Sequence, residues 1–116
     1  MGVNSRGELY DEHFGDSDFF LIYELREDGT ISFLEKRKNR AKLVEEKGHG
    51  DPKKFRAIAE LLRDVHVFVA GRMGPNYLRV KESGKIPMIV GRKTVEEALE
   101  ELRFRASELV SAAGGK

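Results

Sequence analysis

The sequence contains no cysteine in its 116 residues. The chain therefore cannot form a disulfide, and it cannot hold a metal or an iron–sulfur cluster through thiolates of its own. No apolar run approaches the roughly 20 residues that span a bilayer, and the amino-terminal residues lack the apolar stretch of a signal peptide. These absences predict a soluble, cytoplasmic protein that has no membrane segment.

Recognisable catalytic motifs are also missing. The sequence has no Gly-x-Ser-x-Gly elbow, no His-Glu-x-x-His helix, and no phosphate-binding loop with Lys-Ser or Lys-Thr at the required spacing. Its carboxylates cluster at the spacing of a solvated helix face, as at Glu96, Glu97, Glu100 and Glu101. This pattern predicts a protein that is not an enzyme.

The charges that are present nearly balance. Lys and Arg total 21 and Asp and Glu total 20, so the net charge of +1 disfavours a protein that coats nucleic acid broadly. The hydrophobic fraction of 40% is enough to bury a core, and the length suits one compact domain over residues 1–116. A charged fraction of 35% without any glutamine is typical of thermophile proteins.

Hydrophobic patterning predicts an α/β fold with a mixed sheet. The predicted strands are residues 19–25, 30–36, 65–70 and 86–90. Helices are predicted to begin at Pro52, Pro75 and Val95. Asp28-Gly29 predicts a hairpin turn between the first two strands. A capping box at 94–97 opens one long last helix. The charged residues 36–50 have no clean periodicity, and we interpret them as a mobile loop.

The first candidate binding motif is His13-Phe14-Gly15, just before the strand at 19–25. A neutral imidazole can ligate a metal, and a nearby glycine lets backbone amides approach a ligand closely. Taken alone, these three residues are better explained as a turn histidine with Phe14 tucked into the core.

A second candidate is His49-Gly50, which stands just ahead of a helix start. Free amides and the helix dipole favour anions there. Taken alone, His49 is better explained as a loop histidine before a helix cap. His66 lies within a predicted strand, where packing explains it, and we assign it to no site.

The third candidate is "GRMG", residues Gly71, Arg72, Met73 and Gly74. It leaves the carboxyl end of the strand at 65–70, which is where parallel strands bind ligands. A guanidinium and backbone amides at this turn could meet an anionic ligand, and Met73 adds a soft thioether. The alternative is a tight turn without a ligand.

Four segments in order resemble the dinitrogenase iron–molybdenum cofactor-binding family, whose members include NifX-like accessory proteins and the C-terminal region of the NifB cofactor-assembly protein. They are "HFGDSDFFLIYEL", "HGDPKKFRAIAELL", "VHVFVAGRMGPNYLRVKESGKIPMIVG" and "TVEEALEEL". The likeness runs from about Asn4 to Val110. It implies a ribonuclease-H-like three-layer α/β sandwich and binding of iron–sulfur or iron–molybdenum clusters, without ribonuclease activity.

One departure from the family concerns the first strand. Family members usually begin with a central strand of about five apolar residues, of which only Val3 is present here, so the strand looks truncated. A missing middle strand leaves a gap of about 10 Å between its neighbours. Either sequence upstream of Met1 supplies the strand, or the sheet closes differently, or another segment fills the slot.

The resemblance leads to the hypothesis of a non-enzymatic carrier or accessory protein that binds a cluster transiently for metallocofactor assembly. His13 and His49 would be metal ligands, the glycine turns and Arg72 would meet the sulfides, and Phe14 would shield the site. The loop at 36–50 would be a lid that bears His49. Expected partners are metallocofactor-assembly proteins, and the expected state is a monomer or a weak homodimer.

Two alternatives remain open. The chain could be a small interaction or regulatory domain of the same fold that binds no cluster. It could also bind nucleic acid through the basic run at 36–42, although Glu45 and Glu46 and the near-neutral total disfavour this.

Overall fold

The computed structural model describes residues 1–10, 14–43, 52–74 and 76–114. Within these ranges the chain is an α/β structure with four α-helices and two sheets, which confirms the predicted class. The strands are β1 (Gly2–Val3), β2 (Phe19–Leu25), β3 (Ile31–Lys38), β4 (Val67–Ala70) and β5 (Ile86–Ile89). The helices are α1 (Pro52–Leu61), α2 (Asn76–Glu82), α3 (Val95–Phe104) and α4 (Ala106–Gly114). Short 3₁₀ turns occupy Phe14–Asp16 and Arg40–Leu43.

Three strands form an antiparallel sheet in the order β1-β2-β3. The predicted hairpin is confirmed, because Arg26 N–H donates to the Thr30 carbonyl at 2.9 Å and Thr30 N–H donates to Asp28 Oδ1 at 2.9 Å. The strand β3 continues to Lys38, two residues beyond the predicted end. Its last residues pair with the start of β2, so the predicted loop begins later than the charge pattern suggests.

The parallel pair β4 and β5 forms the second sheet. Both strands lie inside the predicted ranges, and β4 starts at Val67 because Val65 N–H is taken by the Leu62 carbonyl in the turn that follows α1. Pro87 lies in β5, which pairs with β4 and no other described strand, as expected for an edge position. The chain thus arranges its strands as two sheets rather than one continuous mixed sheet.

Helices cover both faces of the strands, because side chains alternate along each strand. One core contains Phe20 and Phe68, packed against Ile58 of α1 and Val80 of α2. The other core lies on the opposite face and contains Val3, Val69, Met88, Ala98, Leu102 and Leu109. Strands of both sheets contribute to both cores, so burial of apolar surface holds the two sheets together.

The last helix differs from the prediction. The capping box is confirmed, since Glu97 N–H donates to Thr94 Oγ1 at 3.1 Å and Thr94 N–H donates to Glu97 Oε1 at 2.9 Å. The predicted single helix is wrong, because Arg105 leaves helical geometry, with φ −101° and ψ 13°, and separates α3 from α4. Buried residues continue at helical spacing across this break, so hydrophobic periodicity could not reveal it.

The amino-terminal residues partly fill the slot of the missing strand. The Met1 amino group donates to the Leu21 carbonyl at 3.0 Å, and Leu21 N–H donates to the Met1 carbonyl at 2.8 Å. On its other side, β1 bridges back to Leu9, and Tyr10 N–H donates to the Gly2 carbonyl at 3.1 Å. The described helices include none that is both long and apolar enough to cross a bilayer.

Candidate functional site

Three loops meet at the end of the sheets where β4 and β5 finish. The clearest contact is at Gly71, immediately after β4. A Cβ atom there would lie 3.1 Å from the carbonyl oxygens of both Gly91 and Tyr10. The turn after β4, the turn after β5 and the backbone at Tyr10 are therefore packed closely, and a side chain at this position would force the neighbouring backbone to shift.

Phe14 anchors the first loop in the core. Its side chain is fully buried, with ring centroids 5.0 Å from Phe20 and 5.5 Å from Phe68. Ser17 Oγ donates to the Phe14 carbonyl at 2.7 Å, which closes the 3₁₀ turn. Aromatic packing of this kind fixes the 3₁₀ turn that begins at Phe14 against the core.

Two buried asparagines join this loop to its neighbours. Asn39 Nδ2 donates to the carbonyls of Gly15, at 3.0 Å, and Ser17, at 2.7 Å. Asn76 Nδ2 donates to the Met73 carbonyl at 3.2 Å, and it would lie 3.4 Å from a Cβ atom placed on Gly15. The structure therefore brings the predicted Phe14-Gly15 and "GRMG" segments together.

The residues of the "GRMG" turn point in different directions. Met73 is fully buried in the core that contains Phe14 and Val80, so its thioether packs inside the protein. Arg72 and Gly74 are exposed at the turn. The guanidinium is thus the side-chain group of this turn that solvent or a ligand can reach.

Three exposed guanidinium groups surround this end of the sheets. Arg72 lies two residues after β4, Arg92 lies three residues after β5, and Arg40 begins the 3₁₀ turn after β3. None of the three forms an ion pair with another residue in the described ranges. By contrast, the nearby carboxylate of Asp16 is paired with Lys54 of α1. These three exposed guanidinium groups could meet an anionic ligand.

His13, His49 and Gly50 lie outside the described residues. The role of the two histidines as metal ligands and of Gly50 in cofactor binding therefore stays a prediction. Among the described residues, no group of three or more His, Asp or Glu side chains is arranged to hold a metal ion. His66 is described and lies at the opposite end of β4, where its carbonyl accepts from Ile86 N–H at 2.9 Å.

Two basic residues of the run considered for nucleic-acid binding, Arg37 and Lys36, make contacts within the fold. Arg37 forks onto both oxygens of Asp64 at 2.8 Å, donates to the Leu61 carbonyl at 2.9 Å and contacts Glu35. The Lys36 ammonium lies 4.1 Å from the centre of the Phe19 ring. The hydrogen bonds from Arg37 are the main reason that the pKa of the Asp64 carboxyl is lowered to about 2.

Comparison with protein families gives a match over most of the chain. The family model described as dinitrogenase iron-molybdenum cofactor matches residues 1–104. The chain belongs to this family. No curated protein and no solved structure matches the sequence significantly. Membership associates the chain with iron–molybdenum cofactor binding and with nitrogenase accessory proteins.

Sequence reasoning missed three residues at this end that the family resemblance did not mark. Asn39 and Asn76 hold the loops together, and asparagines between elements look like ordinary turn residues until their partners are known. Arg92 had a visible signal. A Gly-Arg pair follows each of the two parallel strands, at 71–72 and at 91–92, so the sequence repeats the same two residues 20 positions apart.

Proposed function

We propose that this chain is a non-enzymatic carrier or accessory protein that transiently binds an iron–sulfur or iron–molybdenum type cluster during metallocofactor assembly. The observation that carries the proposal is the pair of adjacent Gly-Arg turns. Gly71 and Gly91 are in backbone contact at the carboxyl ends of two parallel strands, and each is followed by an exposed arginine.

The charge at this end suits such a cargo. A metallocluster presents bridging sulfides and a negative charge, and guanidinium groups donate several hydrogen bonds to anions in a planar fork. Arg40, Arg72 and Arg92 are exposed, and the carboxylate of Asp16 is held by Lys54. Binding of a cluster to the arginines would therefore leave the ion pair between Asp16 and Lys54 intact.

Metal ligation is assigned to His13 and His49. His13 is bonded to Phe14, whose ring is locked in the core, and His49 precedes the first residue of α1 by three positions. Imidazole ligands exchange more readily than four thiolates would, and the chain has no cysteine. These properties favour transfer of a cluster over permanent storage.

The finer structural expectations belong to the same proposal. We infer a ribonuclease-H-like arrangement of one domain over residues 1–116, and the packing of helices on both faces of the strands supports it. We also infer a cytoplasmic location, metallocofactor-assembly proteins as partners, and a monomer or weak homodimer. Size-exclusion chromatography with light scattering would test the last point.

The decisive experiment is anaerobic addition of extracted iron–molybdenum cofactor, or of iron and sulfide, followed by absorption spectroscopy and gel filtration. Two double variants are compared with the parent: His13→Ala with His49→Ala, and Arg72→Gln with Arg92→Gln. The matched control is Arg63→Gln with Arg103→Gln, two exposed arginines at the other end of the molecule.

We expect the parent and the control to retain the chromophore on gel filtration, and each site variant to lose it. Retention by both site variants would remove the proposed site. Absence of a chromophore in the parent as well would favour the alternative of an interaction or regulatory domain without a cluster.

A further inference from the structure

Residues 71–93, from the turn after β4 to the turn after β5, carry a surplus of positive charge. They contain six of the 21 basic residues of the chain and one of its 20 acidic residues, which leaves 15 basic and 19 acidic residues elsewhere. The near-neutral total therefore conceals a basic region on one part of the fold. Its charged residues are Arg72, Arg79, Lys81, Lys85, Arg92 and Lys93, with Glu82 as the acidic one.

The same segment exposes apolar side chains. Six large hydrophobic side chains are exposed in the described part of the chain, and three of them belong to α2 and β5. Leu78 is 61% exposed, Ile89 is 50% exposed and Tyr77 is 38% exposed. On helix α2, Lys81 follows Leu78 by three positions and Tyr77 by four, so its ammonium group stands beside both side chains.

Ile89 lies on the same side of the sheet as α2. Ile86 and Met88 pack in the core that contains residues of α3, and side chains alternate along a strand, so Ile89 points to the opposite face. Helix α2 packs against β5 and buries Val80 in the core of that opposite face. Tyr77, Leu78, Lys81 and Ile89 therefore belong to one surface, the α2–β5 face.

The backbone edge of β5 offers little to an added strand. Ile86 N–H and Val90 N–H both donate towards β4 at 2.9 Å, so the backbone groups of Pro87 and Ile89 point to the free edge. Proline has no N–H, so Ile89 is the one residue of β5 that can donate there. A partner would therefore bind the α2–β5 face mainly through side chains.

The chemistry of this face indicates the kind of partner. Leu78 and Ile89 call for apolar side chains that cover them, and the basic surplus complements carboxylates. Nucleic acid is less well matched, because single-stranded bases stack on aromatic rings and Tyr77 is the least exposed of the three apolar residues. A lipid surface is also less well matched, because two exposed apolar side chains on a helix of seven residues are far fewer than the apolar face of a membrane-binding helix.

We propose that the α2–β5 face docks an acidic segment of a partner protein that carries apolar side chains between its carboxylates. The apolar side chains would cover Leu78 and Ile89, and the carboxylates would meet Lys81 and the basic residues around it. Arg72 precedes α2 by four positions and Arg92 follows Ile89 by three, so a docked partner would lie next to the Gly-Arg turns. The docking does not depend on cluster binding, since the residues of α2 and β5 carry it.

The test is an NMR titration of the 116-residue protein, without any cluster, with the peptide acetyl-Asp-Glu-Leu-Ile-Asp-Glu-Leu-Phe-Asp-Glu-amide. We expect saturable binding, with the largest amide shifts at Tyr77, Leu78 and Ile89. A control peptide with serine at the four apolar positions should bind about tenfold more weakly or worse, because it buries no apolar side chain on the face. Binding of the first peptide should also weaken as the salt concentration rises from about 0.05 to 0.5 M, because exposed ion pairs are screened.

Two double variants locate the binding site. Leu78→Ser with Ile89→Thr should weaken peptide binding about tenfold or more, the loss expected when central apolar contacts of an interface are removed. The matched control is Phe33→Ser with Leu34→Ser, which changes two residues of similar exposure on β3, 57% and 58%, and should bind as the parent does. Dispersed spectra show that each variant is folded. Both variants should load a cluster as the parent does, so a failure of docking and a failure of cluster binding give different results.

Other results would overturn the proposal. Equal binding of the serine peptide would show that charge alone attracts the peptide. Unchanged binding by the variant of Leu78 and Ile89, or an equal loss in the control variant, would place the peptide elsewhere. Without saturable binding at millimolar peptide, the face does not dock an acidic segment. Binding of phosphatidylglycerol vesicles, of single-stranded RNA or of a second copy of the chain, if it is lost in the variant of Leu78 and Ile89, would then assign the face to that partner instead.

Discussion

The buried amino group of Met1 makes folding depend on pH in a window where few groups titrate. Burial lowers the pKa of this amino group from 8.0 to about 5 in the folded protein. Between about pH 5 and pH 8 the unfolded chain therefore binds a proton that the folded chain does not. Stability rises with pH wherever the unfolded state binds more protons, so the free energy of unfolding should increase across this window.

The size of the effect follows from the two pKa values. They differ by about three pH units (8.0 minus about 5), and each unit corresponds to about 1.4 kcal/mol, so the full gain is on the order of 4 kcal/mol. Below about pH 5 both states hold the proton, and above about pH 8 neither does. The contribution of this amino group to the curve should be flat on both sides of the window.

Urea unfolding followed by circular dichroism between about pH 4 and pH 9 measures this dependence. The matched control is the same chain with an acetylated amino terminus, since the acetyl group removes the titrating amine and keeps an N–H that can donate to the Leu21 carbonyl. The three histidines titrate in the same range, but both proteins contain them, so the difference between the two curves isolates the amino group. Parallel curves for the two proteins would refute the reasoning.

Three further predictions concern contacts that stabilise the fold. Phe14→Ala should lower the free energy of unfolding by about 3–5 kcal/mol in urea titrations, because the buried rings of Phe20 and Phe68 lose their contact with Phe14, whereas Phe104→Ala, at a position 91% exposed, should change it little. Gly71→Ala should destabilise the fold by about 1 kcal/mol or more, because the new Cβ meets two backbone oxygens at 3.1 Å. Gly114→Ala is the control and should be neutral, because there is open space around Gly114. Equal melting temperatures for these two variants would contradict the close approach at Gly71. Arg37→Gln should lower the free energy of unfolding by about 1 kcal/mol at neutral pH, and this loss should fade as the pH drops from about 4 towards 2. The pKa of Asp64 is lowered in the folded protein, so its carboxylate stabilises the fold above its unfolded pKa and stops doing so once protonated. A loss that is independent of pH would show that the Arg37–Asp64 pair contributes nothing.

Local sequence signals predicted the elements whose determinants are local. The hairpin at Asp28-Gly29 and the cap at Thr94 each depend on a few adjacent residues, and both are where the sequence places them. The start of α1 at Pro52 has the same origin, because proline fits the first helical position. These features could be predicted since their energies do not depend on distant contacts.

The features that were missed depend on contacts between distant segments. The break at Arg105 does not disturb the hydrophobic stripe, so periodicity continued through it. Asn39 and Asn76 contribute to the site only through carbonyls that the fold brings near them. The separation into two sheets depends on which distant strands pair with one another, and local sequence patterns do not show that pairing.

The candidate site combines a rigid base with reachable binding groups, and the proposed function explains why. The base is made of buried contacts: the Phe14 ring, the Asn39 amide and the close approach at Gly71. The charged groups, Arg72 and Arg92, stand in solvent, where each contact with an anion is worth little and is screened by salt. Several such contacts on a fixed base can hold a cluster long enough to deliver it, and none is strong enough alone to prevent its release.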